Sequence, residues 1–443
     1  MPHILLLGTL DTKREEVRYL YGQLQQNSTH FSTPIQITLI DCGCRETKDD
    51  AITISHTDLI TKFAAGKDQP RSPWTLPRGQ AIEYLAGCVT QCVAEMLKTT
   101  PVHGIIGTGG SGGTSLISTV MRNAAPIGLP KFIVSTVASG NTGPVVGECD
   151  ITLMYSVVDI AGSNRLLQDV MGNAAGAIFG MAMAYQRRLD QERLRKQDES
   201  DQQENRQVKS KKTRVGITMF GVTTPCVDRV RRHLEDNYSV EVYVFHATGH
   251  GGKAMERLVE EGHLDAVLDI TTTEICDLVA GGEMSCAPTR LETGLQRGIP
   301  NIISVGATDM VNFGPMNMVP PRYRERKLFV HNPSVTLMRT SAVECRQVGD
   351  FIVDKVVRLA RDPSMVEVWL PVGGVSSIAT EGSVFADRDA DAALADTLLS
   401  GLKDSQVRVV SDERDINNDG FAVDIANRLM EIVAKFSGQK AAE

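Results

Sequence analysis

The chain has 443 residues, which at roughly 100–200 residues per domain predicts two or three domains. Its 46 basic and 54 acidic residues give a net charge of −8, which excludes a general nucleic-acid binder built on a basic face; 42% hydrophobic and 23% charged residues are ordinary for a soluble globular protein. No run of 18 apolar residues marks a membrane helix, the start MPHILLLGTLDTKREE lacks a basic n-region and a cleavage site, and the nine cysteines form no paired CxxC zinc pattern. The expected setting is therefore cytoplasmic and reducing, away from membranes, with thiols mostly free.

In chain order, ILLL at 4–7 reads as a buried strand that leads through GTLDTKREE into a helix. Two readings of that loop stand side by side. Asp11 or Thr12 caps the helix, with Glu15 or Glu16 in its first turn, or Thr9, Asp11 and Lys13 reach a ligand's phosphate or ribose. QITLI at 36–40 is the next strand. After it, Asp41 stands where an acidic residue can bind a ribose hydroxyl, but its spacing from the glycine-rich loop does not match the dinucleotide fingerprint, and Cys42 and Cys44 read as buried thiols.

GII at 104–106 runs into GTGGSGGT, with glycines at 107, 109, 110, 112 and 113. Each glycine costs conformational entropy on folding, so five in seven positions need a reason. The following TSLISTVMRNAA places Leu116, Ile117, Val120, Met121 and Ala124 on one helical face, so the loop feeds a helix N-terminus. Free N–H groups and the helix dipole favour an anion there, most often a phosphate. Glycines let the backbone approach closely and turn through positive φ, and Thr108, Ser111, Thr114 and Ser115 add hydroxyls. A tight strand-to-helix turn without a ligand is the competing reading. No Gly-Lys-Ser/Thr follows, so this is not a Walker A loop, and Ser111 is not in a GxSxG elbow. KFIVS at 131–135 then leads to Ser139, Gly140 and Asn141, which read as a further polar wall or as an ordinary turn.

From Arg187 to Lys212 the only aliphatic residues are Leu189, Leu194 and Val208. This segment reads as the end of a helix followed by a charged linker, dividing the chain into subdomains 1–186 and 213–435. The second half opens with VGITMF and continues with the strand-like runs VEVYVF, AVLDI and NIISV. Gly-x-Pro precedes a strand in both halves, at Gly128 and Pro130 and at Gly298 and Pro300. Continuous apolar runs separated by helical patterns predict an α/β protein: two similarly wound Rossmann-like subdomains with mainly parallel sheets and a cleft between them. Ligands are then expected outside the carboxyl ends of the strands. In FHATGHGGKAMERL, Gly249, Gly251 and Gly252 mark a second candidate anion site; His246 and His250 lack acidic or thiol neighbours, and no metal site is expected. Glu283, Arg290 and Asp309 lie after predicted strands, either as acid–base and ligand groups for a second small molecule or as salt-bridged surface. His331, Asn332 and Arg339 are weaker candidates of the same kind.

The motifs GTLDTK, GTGGSGGT, SGN, FGVTTPCV, FHATGHGGKAME, GGEMSCAPTRLETG, GATDMVNFGP and HNPSVTLMRT occur in that order. Over nearly all of residues 1–435 the chain resembles the family named for the ATP-binding domain of a plant tomato-mosaic-virus resistance protein, which has uncharacterised bacterial and fungal homologues. The resemblance implies a homodimeric two-subdomain protein that binds ATP. It implies phosphate contacts by Gly109, Gly110, Ser111, Gly112, Gly113 and Thr114, and it assigns no catalytic residue. A magnesium requirement stays open, since no Walker B carboxylate fixes a metal site. In the plant member this unit is fused to a TIM barrel, so a stand-alone version is expected here, without the antiviral activity. The expected function is an ATP-binding protein with the phosphates on Gly107–Thr114, either an ATP-using enzyme or a nucleotide-responsive binder. The alternative is an enzyme acting on a phosphorylated or carboxylated metabolite without ATP, through Glu283, Arg290 or Asp309.

Overall fold

The computed structural model of the chain describes residues 1–64, 72–202 and 212–442. The chain divides into two compact units, Met1–Val208 and Lys209–Glu443. Each is built on its own six-stranded parallel sheet.

The first sheet contains β1 (His3–Gly8), β2 (Gln36–Asp41), β3 (Ile52–Ile54), β4 (Gly104–Gly109), β5 (Lys131–Ser135) and β6 (Ile151–Tyr155), in the order β3-β2-β1-β4-β5-β6. Every residue of β1, β4 and β5 is buried, because helices cover both faces. The faces separate by alternation along each strand. Leu5, Leu7, Ile105 and Ile133 pack under the helices Arg78–Thr99 and Ser111–Ala124. Ile4, Leu6, Ile106 and Phe132 pack under the helices Leu10–His30 and Arg165–Gln202. The chain winds outward from β1 through β2 and β3, then returns to β4 on the other side of β1. The order reverses between β1 and β4, and outside the carboxyl ends of those strands a parallel sheet opens a crevice.

The second sheet contains β7 (Thr213–Met219), β8 (Val240–His246), β9 (Ala266–Thr271), β10 (Asn301–Gly306), β14 (Val366–Pro371) and β15 (Arg408–Asp412), in the order β15-β14-β10-β9-β7-β8. Between β10 and β14 the chain inserts a small antiparallel sheet of β11 (Met310–Phe313), β12 (Leu328–Asn332) and β13 (Val335–Arg339). Both main sheets are doubly wound, but their strand orders differ. The third strand of the first unit lies at the edge beyond the second; that of the second unit lies beside the first. The likeness between halves in the sequence is therefore a likeness of strand–turn–helix units, not of whole topology.

The helix Arg165–Gln202 continues through residues 187–202 of the segment read as mostly linker, and 203–211 lie outside the described residues. Arg, Lys, Gln and Glu are good helix formers, so a segment too polar to join a core can still extend a helix. Among the described residues no helix is long and apolar enough to cross a membrane.

A Cβ on Gly107 would lie 2.7 Å from Ile117 Cδ1 and 2.9 Å from the Leu7 carbonyl oxygen. Gly107→Val is expected to destabilise the first unit by roughly 1–3 kcal/mol through overpacking, read as a lower denaturant midpoint with an unchanged slope.

Candidate functional site

β4 ends at Gly109, and the helix Ser111–Ala124 begins after the N-cap residue Gly110, which has no side chain to cap with. The first hydrogen bond of the turn runs from the Thr114 N–H to the Gly110 carbonyl, 2.8 Å. The N–H groups of Ser111, Gly112 and Gly113 have no acceptor among the described residues, as the geometry of a helix start dictates. The turn is compact: a Cβ on Gly109 would lie 2.8 Å from Gly113 Cα, and one on Gly112 would meet Ile82 Cδ1 at 3.2 Å and Arg78 Nη2 at 3.4 Å. None of the five glycines has a positive φ. The expectation of a left-handed turn is thus corrected; these glycines serve close approach. Thr114 is buried, its hydroxyl within 2.7 Å of Ser135 Oγ and donating to the Gly109 carbonyl at 3.2 Å.

A cavity of about 540 Å³ opens at the β1/β4 reversal. Thr9, Thr12 and Lys13 line it from the loop after β1, and Gly110, Ser111, Gly112 and Gly113 from the loop after β4. Thr136 and Val137 follow β5, Tyr155, Val157, Val158 and Asp159 close β6 and the loop after it, and Arg78 starts its helix at the rim. Lys13 interrupts the Leu10–His30 helix with φ −130° and ψ 33°, so the first turn is kinked away from the rest of the helix, with Thr9 Oγ1 3.1 Å from Thr12 Oγ1. Among the described residues neither Lys13 nor Arg78 forms an ion pair.

Of the residues singled out in the sequence, the cavity brings together Thr9, Lys13, Gly110, Ser111, Gly112 and Gly113. Asp11, Gly109, Thr114, Ser139, Gly140 and Asn141 do not line it. Asp11 Oδ2 accepts the Cys44 N–H at 2.9 Å and ties the loop after β1 to the turn after β2. Asp41 is buried and does the same through Oδ1, which accepts the N–H groups of Leu10 (3.1 Å) and Gly43 (3.0 Å). Burial pushes its pKa up to about 6 against the pull of those two donors. Ser139–Asn141 form an exposed turn in which Asn141 Oδ1 accepts the Gly143 N–H at 3.1 Å. Thr136 and Val137, nearer the strand end, supply the wall instead.

The sequence reading missed Arg78, Tyr155 and Val157. β6 is an edge strand with mixed exposure, so it gives no continuous apolar signal, and Arg78 precedes the glycine loop by a whole helix. Val157 holds φ 65°, a strained position for a β-branched residue. The Ser156 hydroxyl fixes it by donating to the Val158 carbonyl at 2.7 Å.

In the second unit the helix Gly251–Glu260 also starts in a glycine turn, but the chain fills it. The Gly249 and Gly252 N–H groups donate to Glu274 Oε1 at 2.8 and 3.2 Å. Arg290 donates through Nε to Glu274 Oε2 at 2.9 Å and clamps Asp269 at 2.6 and 2.7 Å. A Cβ on Gly252 would overlap the Glu274 carboxylate. The second anion site expected here is therefore occupied by the protein's own Glu274. Arg290 and Asp309 are both buried, so together with the exposed Glu283 they do not present a ligand-binding set. Asp309 Oδ2 accepts from Ser376 Oγ at 2.9 Å, and burial pushes its pKa up to about 7. Arg339 is buried on Asp391 at 2.6 Å, while His331 and Asn332 are exposed. Spacing does not report burial, which is why both sequence readings of these groups, ligand set and salt-bridged surface, overlooked the core.

Profiles of the uncharacterised protein family UPF0261 match residues 2–187 with its N-terminal domain and 212–433 with its C-terminal domain. The chain belongs to the UPF0261 family. A UPF0261 protein of Clostridium tetani is 39% identical over 98% of this chain and 99% of its own length. The ToMV resistance protein Tm-1(GCR237) of Solanum lycopersicum is 38% identical over 98% of this chain, which spans 56% of the tomato protein. Among solved structures, a UDP-GlcNAc 2-epimerase from Neisseria meningitidis bound to UDP-GlcNAc covers 68% of this chain and 82% of its own at 9% identity, with a TM-score of 0.20, too low to carry an argument. The two UPF0261 domains fall one in each structural unit.

The buried acids generate a pH prediction. A carboxyl that titrates near 7 when folded and near 4 when unfolded is penalised at neutral pH, and the penalty lifts as pH falls through that window. The stability of the native protein relative to Asp309→Asn is therefore expected to be greater at pH 5 than at pH 8. Urea titrations of both proteins at the two pH values check it; a pH-independent difference would contradict it. Glu274→Ala, which leaves Arg290 and the Gly249 and Gly252 amides short of a partner, is expected to cost about 3–5 kcal/mol by the same measurement.

Proposed function

We propose that the first unit binds ATP, with the polyphosphate on the N–H groups of Ser111, Gly112 and Gly113. The observation that carries this reading is the contrast between two helix starts. The Gly249–Gly252 turn is neutralised by an internal carboxylate, whereas among the described residues the Gly110–Gly113 turn has orphan amides, two cations without ion-pair partners and no carboxylate bound to it. Amides, dipole, Lys13 and Arg78 add up to a field suited to a multiply charged anion, and Ser111 adds a hydroxyl donor. A volume of about 540 Å³ is within the usual range for a small-molecule site. Tyr155, Val137 and Val157 are exposed apolar surface on the same wall and suit the flat face of a base.

Magnesium bound with a nucleotide takes most of its ligands from phosphates and water and needs only one or two protein carboxylates. Asp159 on the cavity wall is the acid that fits this task. The ATP-independent alternative would use the same loop with Glu283, Arg290 or Asp309 as acid–base groups; Arg290 and Asp309 are buried, which leaves Glu283 as the exposed group of the three.

Calorimetric titration tests the proposal. ATP is expected to bind more tightly than ADP, and ADP more tightly than AMP. Lys13→Ala and Arg78→Ala should each weaken ATP by about tenfold or more, the scale of one charge-assisted hydrogen bond of about 1.5–3 kcal/mol, and Ser111→Glu should abolish binding. Absence of ATP binding, or equal affinity in all three variants, would sink it.

A further inference from the structure

We propose that Val157 is a specificity-determining residue of the first-unit cavity: its strained backbone presents an apolar side chain to the ligand, so that the site selects a nucleoside polyphosphate over a bare polyphosphate. The proposal rests on the reading of this cavity as a polyphosphate site.

The observation is a turn. β6 ends at Tyr155, and the Ser156 N–H still donates to the Ser135 carbonyl at 3.1 Å, continuing the ladder with β5. The Val158 N–H then donates back to the Ser156 carbonyl at 2.7 Å, which closes a three-residue turn about Val157, whose φ is 65°. A turn of this kind with a positive φ at its centre is the rare and strained form. The Ser156 hydroxyl locks it by donating to the Val158 carbonyl at 2.7 Å, and Ser156 is itself fully buried.

Packing gives no reason for a valine there. Among the described residues nine glycines hold a positive φ, so the chain elsewhere uses glycine where it needs that backbone. Four other residues share the conformation. Leu291 and Ala307 are buried in hydrophobic clusters, and Ser32 and Gln406 are polar and exposed. Among the described residues Val157 alone combines a positive φ with a β-branched, apolar and exposed side chain, 55% open to solvent, and it joins no hydrophobic cluster. Strain of this kind gathers at ligand sites, where something other than folding fixes the residue.

The cavity supplies that reason. Tyr155 and Val157 both line it, while Ser156 between them is turned into the interior, and Val137 adds a third exposed apolar side chain. The same cavity carries Lys13, Arg78 and the helix-start amides. A bare polyphosphate would satisfy the cations and leave the apolar wall in water. A nucleoside polyphosphate meets both, because its base removes the apolar side chains from water.

Calorimetry on the full chain tests the proposal, with ATP and inorganic tripolyphosphate as ligands for the native protein and for Val157→Gly, Val157→Asn and Val157→Ile. Glycine and asparagine adopt this backbone more readily than valine and present no apolar side chain. Each is expected to weaken ATP by about tenfold, the scale of uncovering one valine side chain, and to leave tripolyphosphate unchanged. Val157→Ile keeps the apolar surface and should keep the ATP affinity. Val157→Asn should not lower the urea midpoint, since it relieves strain. A parallel loss of both ligands, or a fall in the midpoint of Val157→Asn, would assign the valine to the fold and overturn the proposal. Unchanged ATP affinity in the glycine and asparagine variants overturns it too, and leaves the polyphosphate reading standing. Failure of the native chain to bind either ligand removes that reading, and this proposal with it.

Discussion

The first unit is organised around one close approach: the start of the Ser111–Ala124 helix lies so near the end of β4 that position 109 has no room for a side chain. That approach puts the first turn of the helix at the reversal of strand order, and it leaves three amide groups without acceptors among the described residues at the mouth of a cavity. Neighbouring loops are placed by bonds away from the cavity itself. Asp41 and Asp11 join the loops after β1 and β2, and Thr114 joins the helix to β5, so Lys13 and Thr9 are positioned by residues that no ligand in the cavity would touch.

The second unit meets the same problem of an uncapped helix start and answers it internally. Glu274 accepts the turn's amides, Arg290 neutralises Glu274, and Asp269 completes the clamp. Such a buried network makes every member costly to remove, because the partner left behind stays desolvated and charged. The result is a sealed reversal point and an open cavity elsewhere along the strand ends, with acidic rather than basic walls.

Much of the architecture was legible in the residues. The apolar runs from ILLL to NIISV all form parallel strands, and the Gly107–Gly113 loop does lead into a helix with Leu116, Ile117, Val120 and Met121 on its buried face. These are local consequences of alternation, helical period and side-chain size. The edge strand β6 was not legible, because half-exposed edges lack a continuous apolar pattern, and the inserted antiparallel sheet gave no spacing signal. The long helix through 187–202 shows the limit of composition, which measures the capacity to form a core and not the tendency to form a helix.

By itself, the sequence determined the buried strands with continuous apolar runs and the helix that follows the glycine loop, since each depends on neighbours a few residues away. Tertiary structure alone decided which polar groups face a ligand. Arg78 reaches the glycine turn from another helix, Glu274 closes the turn at Gly249 from the end of a different strand, and Arg290 and Asp309 vanish into the core. Whether a charge binds a ligand or another part of the chain depends on which distant partner reaches it first and excludes water, and spacing along one chain carries no record of that.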